Sequence, residues 1–234
     1  MHIFLTGLGT GVNVDFSRRN LVGIGHSMGA TAVLLAGTYS PNLMFSSIIL
    51  VDPMLLPPLT KWDSTGLSAT LGGGAEKRRD IWASREEAMS IFKSKSPWKD
   101  WDPRVLRIYV EYGLRELPTA EYPDKTGVTL ACHKTQEAAC FRDQLGRVRS
   151  YNLLPVLCDT IPVHFIYGAI DDYLPSEVKA DILNVAARGK YASDTRVKGV
   201  GHLVPQVQPA GLADAIWTAL NHRSAHHETA QSHL

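Results

Sequence analysis

Gly25-His26-Ser27-Met28-Gly29 follows the apolar run Leu21-Val22-Gly23-Ile24 and precedes the helix-like stretch Ala30 to Tyr39. A serine with glycine two residues before and two after it, set between a strand and a helix, predicts a very tight turn. Side chains at the two glycine positions would collide with the neighbouring strand and helix. The turn presents the serine hydroxyl beyond the strand end, and it commits this part of the chain to strand–helix alternation.

Other segments extend this pattern. Ser46-Ser47-Ile48-Ile49-Leu50-Val51 reads as a parallel strand ending at Asp52-Pro53. Ile161 to Tyr167 reads as a buried parallel strand ending at Gly168, with Asp171 and Asp172 in the loop beyond. Thr195-Arg196-Val197-Lys198 is a short strand-like run before Gly199-Val200-Gly201-His202-Leu203-Val204-Pro205, which puts a histidine in a glycine-flanked loop. Nucleophile, acid and base therefore occur in the order Ser, Asp, His, an order distinct from those of chymotrypsin-like and subtilisin-like proteases.

On these residues the chain resembles the Ser-nucleophile α/β-hydrolases, from the serine turn to the final helix. It is also similar to fungal peroxisomal abhydrolase proteins of host-selective toxin biosynthesis, through Gly25 to Thr31, Leu50-Val51-Asp52-Pro53, Lys77-Arg78-Arg79-Asp80-Ile81-Trp82 and the C-terminal tripeptide. The resemblance implies an α/β-hydrolase-type parallel sheet with a helical lid insertion. It also implies a triad of Ser27 as nucleophile, His202 as base and Asp171 as orienting acid, with the Met28 backbone N–H as an oxyanion donor. Asp171 is preferred because it lies three residues after Gly168, the family's usual offset. Asp172 is the alternative acid. Asp52 is a third candidate, although Pro53 beside it reads as a strand-ending turn.

The reaction so implied is hydrolysis of a small-molecule ester or thioester through an acyl-enzyme. Acyl transfer on the same triad and a non-catalytic, ligand- or partner-binding domain are the alternatives. A serine at the turn excludes routes that need a carboxylate nucleophile.

The resemblance also sets an expectation of loss. Family members carry several strands and an oxyanion loop before the serine turn, whereas here 26 residues precede Ser27. The sheet is expected to be shortened on that side, with Leu21 to Ile24 exposed and homo-oligomerisation as the consequence. Either the run Leu5 to Gly11 substitutes for the oxyanion loop or the second donor is absent.

The expected organisation is a core over 1–56 and 159–222, a helical lid over 57–158 and a flexible tail over 223–234. Within the lid, Asp102-Pro103 predicts a helix start, with Val105, Ile108, Tyr109 and Tyr112 apolar and Gly113 as the stop. Ser84-Arg85-Glu86-Glu87 predicts a capping box, and Thr135 to Ala138 a third helix start. Leu71 to Ala75 reads as a flexible linker. Trp62, Trp82, Trp98 and Trp101 read chiefly as lid core, with a substrate pocket as the other use. Leu212, Ile216 and Leu220 predict a closing helix that packs on the sheet.

Composition removes several function classes. At 44% hydrophobic with a formal charge of +1, the chain carries no signature of nucleic-acid binding, and its apolar runs are too short for a membrane span. Three cysteines, Cys132, Cys140 and Cys158, without a C-x-x-C pair, speak against a disulfide framework and a zinc site. No cofactor or metal is expected, and no secretory leader is apparent. Ser232-His233-Leu234 fits a peroxisomal import tripeptide, which predicts peroxisomal localisation through an import receptor.

Overall fold

A computed structural model describes residues 1–7, 15–57 and 66–222. The chain forms two compact units: a core unit of residues 1–60, 144–204 and 210–234, and an inserted unit of 61–143 and 205–209. Along the chain the strands are β1 (Leu21–His26), β2 (Phe45–Val51), β3 (Ile81–Trp82), β4 (Leu114–Glu116), β5 (Val128–Leu130), β6 (Val163–Gly168) and β7 (Ser193–Val197).

In the core unit, β1, β2, β6 and β7 pair in that order and all in parallel. Ile48 to Val51 of β2 and Val163 to Gly168 of β6 are buried without interruption, as expected for central parallel strands covered on both faces. Among the described residues β1 pairs on one side only, and Val22 and Ile24 are 39% and 46% exposed. Among the described residues ahead of β1 are a helix, His2–Thr6, and a 3-10 turn, Phe16–Arg18.

The helix Met28–Ala36 buries Ala30, Val33, Leu34 and Ala36 and packs against the helix Gln144–Thr160. That second helix therefore belongs to the core unit, and the insertion ends at 143 instead of 158. Its buried residues are Gly146, Arg147, Ser150, Tyr151 and Leu154, so an apolar period does not reveal the layer it serves. The closing helix is Pro209–Asn221; it buries Leu212, Ala215 and Ala219 and leaves Leu220 exposed.

The inserted unit is not wholly helical. It contains a three-stranded antiparallel sheet in the order β3-β5-β4, whose strands of two or three residues are too short to show alternation in the sequence. The helix Pro103–Tyr112 starts and stops where Asp102, Pro103 and Gly113 predict, and Asp102 accepts the Arg104 N–H at 2.8 Å. Its buried residues are Leu106 and Val110, while Ile108 and Tyr112 face solvent. Ser84 caps Arg85–Ser94 through the Glu87 N–H, but Glu87 answers to the N–H of Ala83, one residue earlier than in a capping box. The helix start expected at Thr135 to Ala138 falls within Lys134–Arg142, capped by His133.

The glycine run expected to be a linker is helical, within Leu67–Lys77. There Gly72 lies so close to the Arg142 side chain of the packed helix Lys134–Arg142 that an added Cβ would stand 3.0 Å from its Nε. Trp82 is buried with Phe92, Leu106, Val110, Val128 and Leu130, and Trp98 and Trp101 pack on the same cluster, so these tryptophans form the unit's own core. Trp62 lies outside the described residues.

Candidate active site

β1 and β2 run in parallel with His26 opposite Val51, so the residues that follow, Ser27 and Asp52, leave adjacent strand ends side by side. Both have left-handed backbone, with φ of 55° and 40°. Such positions cost on the order of 1–3 kcal/mol each for a non-glycine residue and persist only where the surroundings hold them. Here the Ser27 N–H donates to Val51 O at 3.0 Å, and the Ser27 carbonyl accepts from Ala30 and Met54. Asp52 N–H donates to Ile166 O at 2.8 Å. The strain thus sits on two polar side chains at the C-terminal edge of the sheet, where open α/β sheets bind ligands.

The two glycines of the turn are not equivalent. A Cβ on Gly25 would stand 2.5 Å from Gly29 O and 2.6 Å from the Ala30 backbone, whereas one on Gly29 would meet nothing within 4 Å. Only the first has the steric reason expected for both.

His202 lies between the two strained residues. Its Nε2 is 2.9 Å from Ser27 Oγ and its Nδ1 is 3.0 Å from Asp52 Oδ1. Asp52 is fully buried and His202 nearly so. Burial opposes ionisation of Asp52, but the hydrogen bond and charge of His202, the Gly168 N–H at 2.9 Å and the Lys179 ammonium outweigh it and hold the carboxyl below its ordinary range. An ionised carboxylate only accepts, so Nδ1 carries the proton and the Nε2 lone pair receives the Ser27 hydroxyl hydrogen.

The expectation of Asp171 as the partner of His202 is therefore corrected: Asp52 occupies that place. Asp171 instead pairs with Lys179 Nζ at 2.9 Å. Asp172, the alternative, does not reach the ring either. Its Oδ1 accepts the backbone N–H groups of His202 and Tyr173 at 2.8 and 2.7 Å and fastens the histidine loop. The carboxylate lies so near Gly201 that any Cβ there would be 2.1 Å from Asp172 Oδ2. Ser27 and His202 are brought together by the fold. Met28 opens the helix Met28–Ala36, whose first N–H groups have no partner within the helix.

His26 and Lys179 complete the surroundings. The His26 Nε2–H donates to the His202 carbonyl at 2.8 Å and the two rings lie 5.0 Å apart. Burial first, and then the charge of His202, depress the His26 pKa. Nothing in the sequence marks either residue, since His26 fills a free position of the motif and Lys179 stands in an ordinary charged helix. Gly9 and Gly11 of the expected oxyanion substitute lie outside the described residues, as does Ser232-His233-Leu234. Among the described residues, no group of three or more His, Cys, Asp and Glu side chains is arranged to hold a metal ion, and no helix is long and apolar enough to cross a membrane.

The sequence pattern of the alpha/beta hydrolase family matches residues 2–215. The abhydrolase domain-containing protein ACTT2-1 of Alternaria alternata is 26% identical over 224 residues, covering 84% of this chain and 81% of its own. The type I acyl-CoA thioesterase mpaH of Penicillium roqueforti (strain FM164) is 36% identical over 115 residues, 47% of this chain and 25% of that protein. In fold, the chain is similar to E-2-(acetamidomethylene)succinate hydrolase, with a TM-score of 0.62 at 19% identity, over 87% of this chain and 67% of the other.

Proposed function

The chain belongs to the alpha/beta hydrolase family, and we propose that it is a serine hydrolase that cleaves an ester or thioester through an acyl-enzyme. The observation that supports this is the unbroken hydrogen-bonded chain Ser27–His202–Asp52, with both ends on strained backbone. In this reading Ser27 Oγ bonds to the acyl carbon as its proton passes to His202 Nε2, and the carbonyl electron pair moves onto oxygen. The Met28 N–H donates to that oxyanion. Asp52 stabilises the imidazolium without accepting its proton. Collapse expels the alcohol or thiol, which takes the proton from Nε2. Water then repeats the sequence in reverse roles and frees the acid and Ser27.

The thioester is the first substrate class to test, because one relative bears the name acyl-CoA thioesterase. A place in fungal secondary metabolism rests on the resemblance to the abhydrolase proteins. Transfer of the acyl group to an alcohol or amine uses the same first half-reaction. A vestigial binding domain has less support, since it has no need of a buried carboxylate, an oriented imidazole and a strained serine in one line. Incubation with a fluorophosphonate tests the reading: the expected result is a covalent adduct mapped to Ser27 by peptide mass spectrometry. Folded protein that stays unlabelled while a reference serine esterase reacts would overturn it.

Peroxisomal import through Ser232-His233-Leu234 belongs to the same proposal and rests on the tripeptide. An N-terminally tagged chain is expected in peroxisomes and, without the three residues, in the cytosol; an identical distribution for both would refute the address.

A further inference from the structure

Lys179 is fully buried, on the helix Ser176–Asp181. Its Nζ lies 2.9 Å from Asp171 Oδ1, 3.3 Å from the Gly168 carbonyl and 3.8 Å from Asp52 Oδ2. A buried ammonium is tolerated only when paired and hydrogen-bonded. Asp52 Oδ1 faces the imidazole, while Oδ2 accepts the Gly168 N–H at 2.9 Å and faces this cation. Alone, Lys179 would draw on the negative charge that has to stabilise the imidazolium. Asp171 supplies a second carboxylate to the same ammonium.

We infer that Lys179 and Asp171 are positioning residues for the Ser27–His202–Asp52 site: the Gly168 N–H holds Oδ2 at 2.9 Å, Lys179 adds its charge on the same oxygen, and Asp171 offsets that charge so that Asp52 retains its hold on the imidazolium. This rests on the catalytic reading of that site. It also gives Asp171 a use in the loop where sequence reasoning placed the acid.

The other groups around the pair are accounted for. The Tyr167 ring lies 5.5 Å from Lys179 Nζ, with the Arg196 guanidinium 4.6 Å from the same ring. Asp181, on the lysine's own helix, accepts from the Tyr151 hydroxyl at 2.5 Å. Around His202 stand Ser27, Asp52, His26, the Tyr173 ring at 5.2 Å and Asp172 on its backbone N–H.

The test is the pH dependence of kcat/KM for an ester, together with the rate of fluorophosphonate labelling at Ser27, in the wild type, Lys179→Met, Asp171→Asn and the double variant. His202 must be neutral to act as the base, so the acid limb of both profiles reports its protonation. Removing the cation favours the imidazolium and is expected to move the limb to higher pH by about one unit. Removing the Asp171 carboxylate leaves the cation uncompensated and is expected to move it to lower pH. The charge-balanced double variant is expected close to the wild type. Unmoved limbs, or single variants that shift in the same direction, would overturn the inference. If Lys179→Met does not fold, the partly exposed Asp171→Asn decides alone: a downward shift supports the inference and an unmoved limb refutes it. A wild-type chain that never labels at Ser27 would tell against the catalytic reading, and is distinguishable from a labelled chain whose limbs do not move.

Discussion

Asp52→Asn is expected to lower kcat for a p-nitrophenyl ester by about 10⁴, the scale seen when a triad carboxylate becomes an amide. The loss arises from the tautomer. A carboxylate can only accept, so it holds the proton on His202 Nδ1 and leaves Nε2 free for Ser27. An asparagine can turn its NH₂ toward the ring, which places the proton on Nε2 and removes the lone pair that Ser27 needs. KM is expected to change little, because the acid serves the transition state. Asp171→Asn, whose side chain is 40% exposed and touches no atom of the imidazole, is expected to cost far less. Steady-state kinetics on the two variants, with circular dichroism to establish folding, would decide. A larger loss for Asp171→Asn would return the acid to the loop after β6.

An offset from Gly168 is a one-dimensional rule, and it does not register that a lysine eight residues further on claims the carboxylate. The usable signal for Asp52 was its place directly after an uninterrupted apolar strand, Ile48 to Val51, next in register to the strand that delivers Ser27. Pro53 beside Asp52 reads as a strand-ending turn. The chain does bend at Asp52, and the Asp52 N–H to Ile166 O bond holds that residue at φ 40° beyond the strand end.

The parallel strands, the serine turn and the histidine loop were legible because each is a local pattern of apolar runs and glycines. The boundary of the insertion was not, because the helix Gln144–Thr160 buries glycine, arginine and serine along with its apolar residues. The sheet of the inserted unit was invisible for a related reason. β3 has two residues and β4 and β5 three each, and their pairing is set by partners distant in sequence. Glycines misled in both directions. Gly72 lies inside a helix and not in a linker, and at Gly29 an added Cβ meets open space and not a neighbour.

Ser27→Ala and His202→Ala are each expected to reduce kcat by about 10⁶, and the double variant by scarcely more, because nucleophile and base act as one unit. The structure gives the physical basis for that non-additivity. Ser27 Oγ and His202 Nε2 share a single hydrogen bond of 2.9 Å, and neither has another role in the attack step once its partner is gone. Ser27→Ala keeps the left-handed backbone at that position and removes only the hydroxyl, so the fold is expected to survive with the turn strain intact. His202→Ala is different. It opens a hole beside Asp52, leaving a buried carboxylate with one acceptor oxygen unmatched, and is expected to lower the melting temperature where Ser27→Ala does not. The two variants thus agree in kinetics and part in stability. Kinetics on the single and double variants, paired with thermal denaturation, would check both halves. Independent, multiplying losses in kcat would mean that Ser27 and His202 do not serve the same proton transfer, and the acyl-enzyme route would have to be abandoned.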